Sequence, residues 1–212
     1  FNYTVLHGLS LAIHDIDPNA TLGDIEKQKQ QTLERIKNEG LEVLQKRLYL
    51  SPIVKRIAIV GSPDTSGFAD FINGITTNQY FRNITYKVFP TSVQGEHAVD
   101  QISSAIEEAA RHDADLIVVI RGGGSKMDLH IFNHYNICRA IAYSRIPVVS
   151  GVGHETDSCL VDFVCFRTLK TPTAAAEWIY LRSATFRTNL EMVLKSIHTQ
   201  TEHIIDEEKL AL

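Results

Sequence analysis

Two short, unbroken apolar runs, Ile57–Val60 and Leu116–Ile120, and two further strand-like stretches, Tyr86–Phe89 and Ile146–Ser150, recur between Arg56 and Ser150. A strand with one wet face would alternate apolar and polar residues; a continuous run belongs to a strand covered on both faces. The stretches between the runs carry helical spacing instead. Asp70–Ile75 reads as a helix, Ala98, Ile102, Ala105, Ile106 and Ala109 keep one apolar face, and Leu129–Tyr143 reads as a third helix. Strands buried on both sides and separated by helices imply an α/β fold: a doubly wound, mainly parallel sheet of four or slightly more strands with helices on both faces. Residues 51–170 hold this domain.

The flanks read differently. Residues 1–20 alternate loosely at Tyr3, Val5 and Leu9–Ile13, as the end of a preceding domain or a linker would. Residues 21–50 form a connector, with Thr21-x-x-Asp24 as a capping-box-like helix start and Gly40 as its stop. Its stretch from Glu26 to Glu39 is mostly polar, which predicts a surface helix. From Pro172, a residue suited to the first turn of a helix, residues 171–212 stay helical. Leu190, Leu194, Ile197, Thr201 and Ile204 step 4-3-4-3, a coiled-coil seam interrupted by one threonine. The chain opens on Phe1 and stops inside this pattern, and is read as a piece of a longer protein.

Composition limits the class of protein. Of the 212 residues 44% are hydrophobic and 22% charged, as in ordinary globular domains. No apolar run approaches the roughly 18–20 residues that span a bilayer, and no signal-peptide pattern is present. Cys138, Cys159 and Cys165 form no CxxC pair and suit small core residues of a reducing cytoplasm. The net charge of −4 argues against a generic nucleic-acid coat, but not against an enzyme that grips DNA locally.

In open parallel sheets, ligands bind beyond the carboxyl ends of the strands. Three of those ends carry unusual loops that should converge on one edge. The first strand runs into Gly61-Ser62-Pro63-Asp64-Thr65-Ser66-Gly67, followed by Asp70; the third into Arg121-Gly122-Gly123-Gly124-Ser125; the fourth into Gly151-Val152-Gly153-His154-Glu155-Thr156-Asp157. Three consecutive glycines let backbone N–H groups turn toward a ligand and let it approach closely. With the Arg121 fork beside them, the loop suits a phosphate. A tight strand-to-helix turn accounts for one glycine well and for three poorly. The loop lacks the GxxxxGK[ST] of a Walker A loop, and Met127 stands where a dinucleotide fingerprint needs its third glycine.

His154 and Asp157 stand three residues apart at an expected helix start. Histidine there could transfer protons, with the aspartate orienting it or acting as base; helix capping and packing are the plainer use of the same pair. Glu155 and Asp157 could also hold a divalent cation such as Mg²⁺, with too few ligands to name one. Asp128 and Asn133 follow the glycine loop, where Asp128 equally suits a first-turn carboxylate. Asp162 serves packing or capping as readily as chemistry. Arg139 is a weaker candidate, and Trp178 and Tyr180 could stack bases but at the start of a long helix are more often packing residues.

Taken in order, these segments resemble exodeoxyribonuclease VII large subunits. The resemblance runs through Arg121–Ser125, Asp128-Leu129, Phe132-Asn133, Arg139-Ala140-Ile141, Ile146-Pro147, Gly153–Asp157 and Thr171-Pro172-Thr173-Ala174-Ala175-Ala176-Glu177. Each piece is common; the set in this order is specific. The family motif has the form GxxRGxGx(n)GHxxDxxxAD, and its Arg121, Gly122, Gly124, Gly153, His154, Asp157 and Asp162 positions are present. Val118 replaces the leading glycine, Val161 replaces the alanine before Asp162, and Cys165–Leu169 departs from the family's continuation.

The resemblance implies exonucleolytic cleavage of single-stranded DNA from either end, giving 5′-phosphorylated products with no strict need for a divalent metal. It implies Arg121, His154, Asp157 and Asp70 as catalytic residues. Gly122, Gly123, Gly124, Ser125 and Gly153 would hold phosphate, supported by Asp162, Asp128 and Asn133. It also implies partnership with several copies of a small helical subunit, and self-association through the C-terminal helix is a further expectation. Two rivals use the same loops: a phosphosugar- or nucleotide-handling α/β enzyme, and a DNA-binding module without catalysis.

Overall fold

The computed structural model describes residues 2–4, 8–10, 18–77, 84–92, 95, 97–121, 126–152 and 159–211. A short antiparallel pair, β1 (Asn2–Thr4) and β2 (Gly8–Ser10), precedes helix α1 (Pro18–Asn38) and two 3₁₀ turns at Leu41–Val43 and Gln45–Arg47. The α/β layer then runs β3 (Arg56–Gly61), α2 (Ser66–Thr76), β4 (Thr85–Pro90), α3 (Ala98–Arg111), β5 (Leu116–Ile120), a 3₁₀ segment (Lys126–Asn133), α4 (Tyr135–Ala142), β6 (Val148–Gly151), α5 (Leu160–Val164) and β7 (Arg167–Thr168). Helix α6 (Pro172–Ala211) ends the chain. Among the described residues no helix is long and apolar enough to cross a membrane.

The five strands form one sheet in the order β4-β3-β5-β6-β7, every pair parallel. Side chains alternate across a strand, and on the central strands β3, β5 and β6 both faces are buried, whereas the edge strands β4 and β7 are largely exposed. Ala58, Val60, Ile117, Val119 and Val148 enter a core covered by α3, α4, α5 and the end of α1. Ile57, Ile59, Leu116, Val118, Ile120 and Val149 enter a second core with α2 and α6. Each large aliphatic side chain fully buried this way contributes about 1.5–3 kcal/mol. The unbroken apolar runs thus reflect two cores back to back.

Several expectations are refined. The connector helix begins at Pro18 rather than Thr21, and Gly40, with φ of +66°, closes it in the left-handed conformation that glycine adopts without strain. It is not wholly a surface helix, because Ile36 is fully buried and Leu33 packs beside it. The helix expected over 129–143 is two pieces: His134 leaves helical geometry and its Nδ1 accepts a hydrogen bond from the Asn136 N–H at 3.3 Å, starting α4 afresh. A fifth strand, β7, adds to the four. All three cysteines are free and buried; burial pushes the Cys138 and Cys165 thiols up, away from thiolate.

Two close contacts tie the flanking segments to the sheet. A β-carbon at Gly74 of α2 would stand 2.7 Å from the Ala176 Cβ, so these helices cross at a glycine and an alanine. Gln45, fully buried, donates to the carbonyls of Ile141 and Ser144 at 2.9 Å and accepts from the Val148 N–H at 2.8 Å. One side chain therefore joins the connector, the end of α4 and the start of β6.

Candidate active site

Parallel register aligns the three loop origins. Val60 pairs with Val119 and Ile120 with Gly151, so Gly61, Ile120 and Gly151 lie abreast. The residues that leave the sheet there, Ser62, Arg121 and Val152, start at one height on strands about 4.8 Å apart. After β3 the chain adds β4 on one side and β5 on the other, so strand order reverses between β3 and β5, the position beyond which open parallel sheets bind their ligands. The expected convergence of the three loop origins is present.

Arg121 directly follows β5 at this switch point and is only 8% exposed. A guanidinium held there acts through weakly screened surroundings, where attraction to an anion exceeds that at an open surface. Neighbouring Gly61 and Thr65 shape the first loop. The Gly61 carbonyl accepts from the Thr91 N–H at 3.0 Å, and the Thr65 side chain caps α2 by accepting from the Phe68 N–H at 3.4 Å. Asp70 lies one turn into α2, exposed to solvent; the helix starts at the candidate edge, but Asp70 itself sits on its surface.

Gly122, Gly123, Gly124, Ser125, Gly153, His154, Glu155 and Asp157 lie outside the described residues, so the expected grouping of His154 and Asp157 with Arg121 does too. The residues flanking them are described. Asp162 stands in α5, where its Oδ2 accepts from the Cys159 N–H at 3.2 Å and its Oδ1 from the Ser150 hydroxyl at 2.7 Å. Burial raises its pKa, partly offset by these two donors. Asn133 Oδ1 accepts from the Leu160 N–H at 2.8 Å. Both therefore serve as capping and fastening groups at the border of the loops. Asp128 falls in the 3₁₀ segment after the glycine loop. Among the described residues no cluster of three or more His, Cys, Asp or Glu side chains is assembled as for a metal.

Other candidates part from this edge. Arg139 is exposed on α4, 5.6 Å from the Tyr143 ring centre, beside a cleft of about 700 Å³ that Arg111 and Arg145 also line. These residues end helices that precede β5 and β6, so the cleft belongs to the opposite, amino edge of the sheet. Trp178 and Tyr180 pack against the second core, as packing residues do. Two residues not singled out from sequence do reach the candidate edge. One is Ser150. The other is Thr171, whose carbonyl would stand 3.4 Å from a β-carbon at Gly151 and whose hydroxyl caps α6 by accepting from the Ala174 N–H at 3.1 Å. The Thr171-Pro172-Thr173 signature offered a cue to the second; a lone serine in an apolar run offered little.

Fold and edge together define a doubly wound α/β domain with a buried arginine at its switch point. The family described as exonuclease VII, large subunit, matches residues 41–212, and the chain belongs to that family. It is 39% identical over 169 residues to an exodeoxyribonuclease 7 large subunit of Streptococcus equi subsp. zooepidemicus, covering 79% of this chain and 37% of that one. It is 40% identical over 169 residues to the protein of that name from Streptococcus pneumoniae, with the same coverage. It is 34% identical over 181 residues to one from Thermotoga maritima, covering 85% of this chain and 45% of the relative. The chain thus spans about two fifths of the length of these curated relatives.

Proposed function

We propose that this chain is the catalytic α/β portion of a large subunit that hydrolyses phosphodiester bonds of single-stranded DNA exonucleolytically, from either end, leaving 5′-phosphates. The observation that carries the reading is Arg121, buried at the carboxyl end of β5 where strand order reverses. In such a reaction a water oxygen bonds to phosphorus and the bond from phosphorus to O3′ breaks. Negative charge grows on the non-bridging oxygens, and preorganised donors that meet this charge lower the barrier. Arg121 with the amides of Gly122, Gly123 and Gly124 fits that role. One proton must leave the attacking water and one must reach O3′. His154 fits one of these transfers, with Asp157 orienting it or, with Asp70, acting as base.

On this reading no divalent cation is strictly required, and Mg²⁺ held by Glu155 and Asp157 is the variant to test. The proposed partners are single-stranded DNA and several copies of the small subunit, in the cytoplasm. Support for a helical partner comes from α6, where Leu190, Leu194, Ile197 and Ile204 are 47–60% exposed along the seam. The decisive experiment is digestion of end-labelled single-stranded oligonucleotides by the full large-plus-small complex, with and without EDTA. Release of 5′-phosphorylated products is expected in both. An intact complex that leaves the oligonucleotide uncut would return the fold to its two rivals, the small-molecule enzyme and the DNA-binding module without catalysis.

A further inference from the structure

Ser150 is a hydroxyl in a place that packing alone would give to an aliphatic side chain. It is fully buried in β6, directly after the fully buried Val148 and Val149. A hydroxyl in such surroundings costs free energy unless its hydrogen bonds are made. Here they are made, and both lead to the candidate edge. Ser150 Oγ donates to Asp162 Oδ1 at 2.7 Å and accepts from the Val152 N–H at 3.4 Å. Asp162 Oδ2 in turn accepts from the Cys159 N–H at 3.2 Å.

Val152 and Cys159 are the residues on either side of 153–158, which contain His154 and Asp157. The chain of bonds Val152–Ser150–Asp162–Cys159 therefore fastens both ends of that segment to a single side-chain pair. A second fastening joins it to the other loop. Leu160 N–H donates to Asn133 Oδ1 at 2.8 Å, and the Cys159 thiol lies 3.7 Å from the Leu129 carbonyl oxygen. Leu129 and Asn133 belong to the 3₁₀ segment that follows Arg121 and the three glycines.

We propose that Ser150 is a positioning residue: through Asp162, with Asn133 alongside, it holds Val152, Cys159 and Leu160, which flank residues 153–158, in register with the end of β5 that carries Arg121. The proposal rests on the nuclease reading of the site. A buried polar network that is fully bonded rigidifies what it joins, and it is a costly way to obtain packing alone. Proton transfer and anion stabilisation by groups on two different loops need such register, because small misplacements of reacting groups are expensive in rate.

The test uses the full large subunit in complex with its small subunit, on a single-stranded oligonucleotide. Ser150→Ala removes the hydroxyl and keeps the strand apolar. Asn133→Ala removes only the acceptor for Leu160, at a half-buried position, and decides the matter should Ser150→Ala fail to assemble. Each should lower kcat about tenfold or more per folded molecule, with KM and oligonucleotide Kd within about twofold of wild type. A purely structural serine would instead lower the melting temperature and leave kcat per folded molecule unchanged; that result overturns the proposal. A wild-type complex inert on single-stranded DNA would sink the nuclease reading, and this inference with it. An active wild type with unaltered variants sinks this inference alone.

Discussion

Gly61 and Ile120 are so close that a β-carbon at residue 61 would stand 2.7 Å from the Ile120 carbonyl oxygen and 2.9 Å from its Cγ1. The last residues of β3 and β5 thus meet backbone to backbone at the switch point, one residue before Ser62 and Arg121. Gly61→Ala should destabilise the fold by about 1–3 kcal/mol, because the obstacle is main chain and cannot rotate aside. Gly23 is the control: nothing lies within 4 Å of a β-carbon there, and in a helix Gly23→Ala should stabilise by roughly 0.5–1 kcal/mol. Urea unfolding of both variants checks the pair of signs.

Arg121→Lys should abolish most activity of the full complex. An ammonium keeps the charge but loses the planar fork that grips a phosphate through two bonds. A loss of about a hundredfold in kcat/KM corresponds to about 2.7 kcal/mol of transition-state stabilisation. An Arg121→Lys enzyme within about threefold of wild type would reduce the arginine to a generic positive charge.

His154→Ala separates the nuclease from a binding module. Turnover should fall by about 10²–10⁴-fold, the usual worth of a general acid or base, while affinity for a single-stranded oligonucleotide is retained. Fluorescence anisotropy and a cleavage assay on the same preparation give both numbers. Unchanged turnover would favour the module.

Acid stability should depend on Asp115 at the amino edge. Its carboxylate accepts from the Lys55 and Arg56 N–H groups at 2.9 Å and from Arg56 Nη2 at 2.7 Å. Burial by itself would raise its pKa, but these bonds outweigh burial and hold it below its ordinary value of 3.8. The folded carboxyl stays ionised to a lower pH than the unfolded one. Its stabilisation is therefore complete above the unfolded pKa and is lost as pH falls through the folded one. Asp115→Asn should cost about 1–2 kcal/mol near neutrality and flatten the loss of stability between about pH 5 and pH 2. Equal slopes in the two proteins would show that Asp115 is not the group responsible.

The isolated 212-residue chain should self-associate through α6 and cut DNA poorly. Leu194 and Ile197 are 57% and 54% exposed on one face of that helix, and apolar seams at this spacing associate with like seams. Light scattering should show oligomers that Leu194→Glu with Ile197→Glu converts to monomers. A strictly monomeric parent with full exonuclease activity would contradict both halves.

Elements whose signal lies in neighbouring residues were legible in the sequence. Ile57–Val60 and Leu116–Ile120 announce doubly covered strands because burial on both faces removes every polar residue from the run. Gly40 announces a helix end because its conformation is a local property. The break at His134 was missed because apolar spacing continues across it, while a single imidazole bond to Asn136 restarts the helix.

By itself the sequence determined the parallel α/β class, the three loops leaving one edge, and, through its ordered motifs, the family. Tertiary structure alone decided the rest, because the deciding contacts join residues far apart in the chain. The pairing of β3 with β5, which brings Gly61 against Ile120, fixes where strand order reverses. β7, only Arg167–Thr168, is a strand because Val149 and Ser150 pair with it. Ser150 became a fastening residue because α5 brings Asp162 within 2.7 Å of it, and Asn133 because the Leu160 N–H, twenty-seven residues onward, reaches its side chain. A lone buried hydroxyl carries no local pattern; its role exists only once the partner that satisfies it has been folded into place.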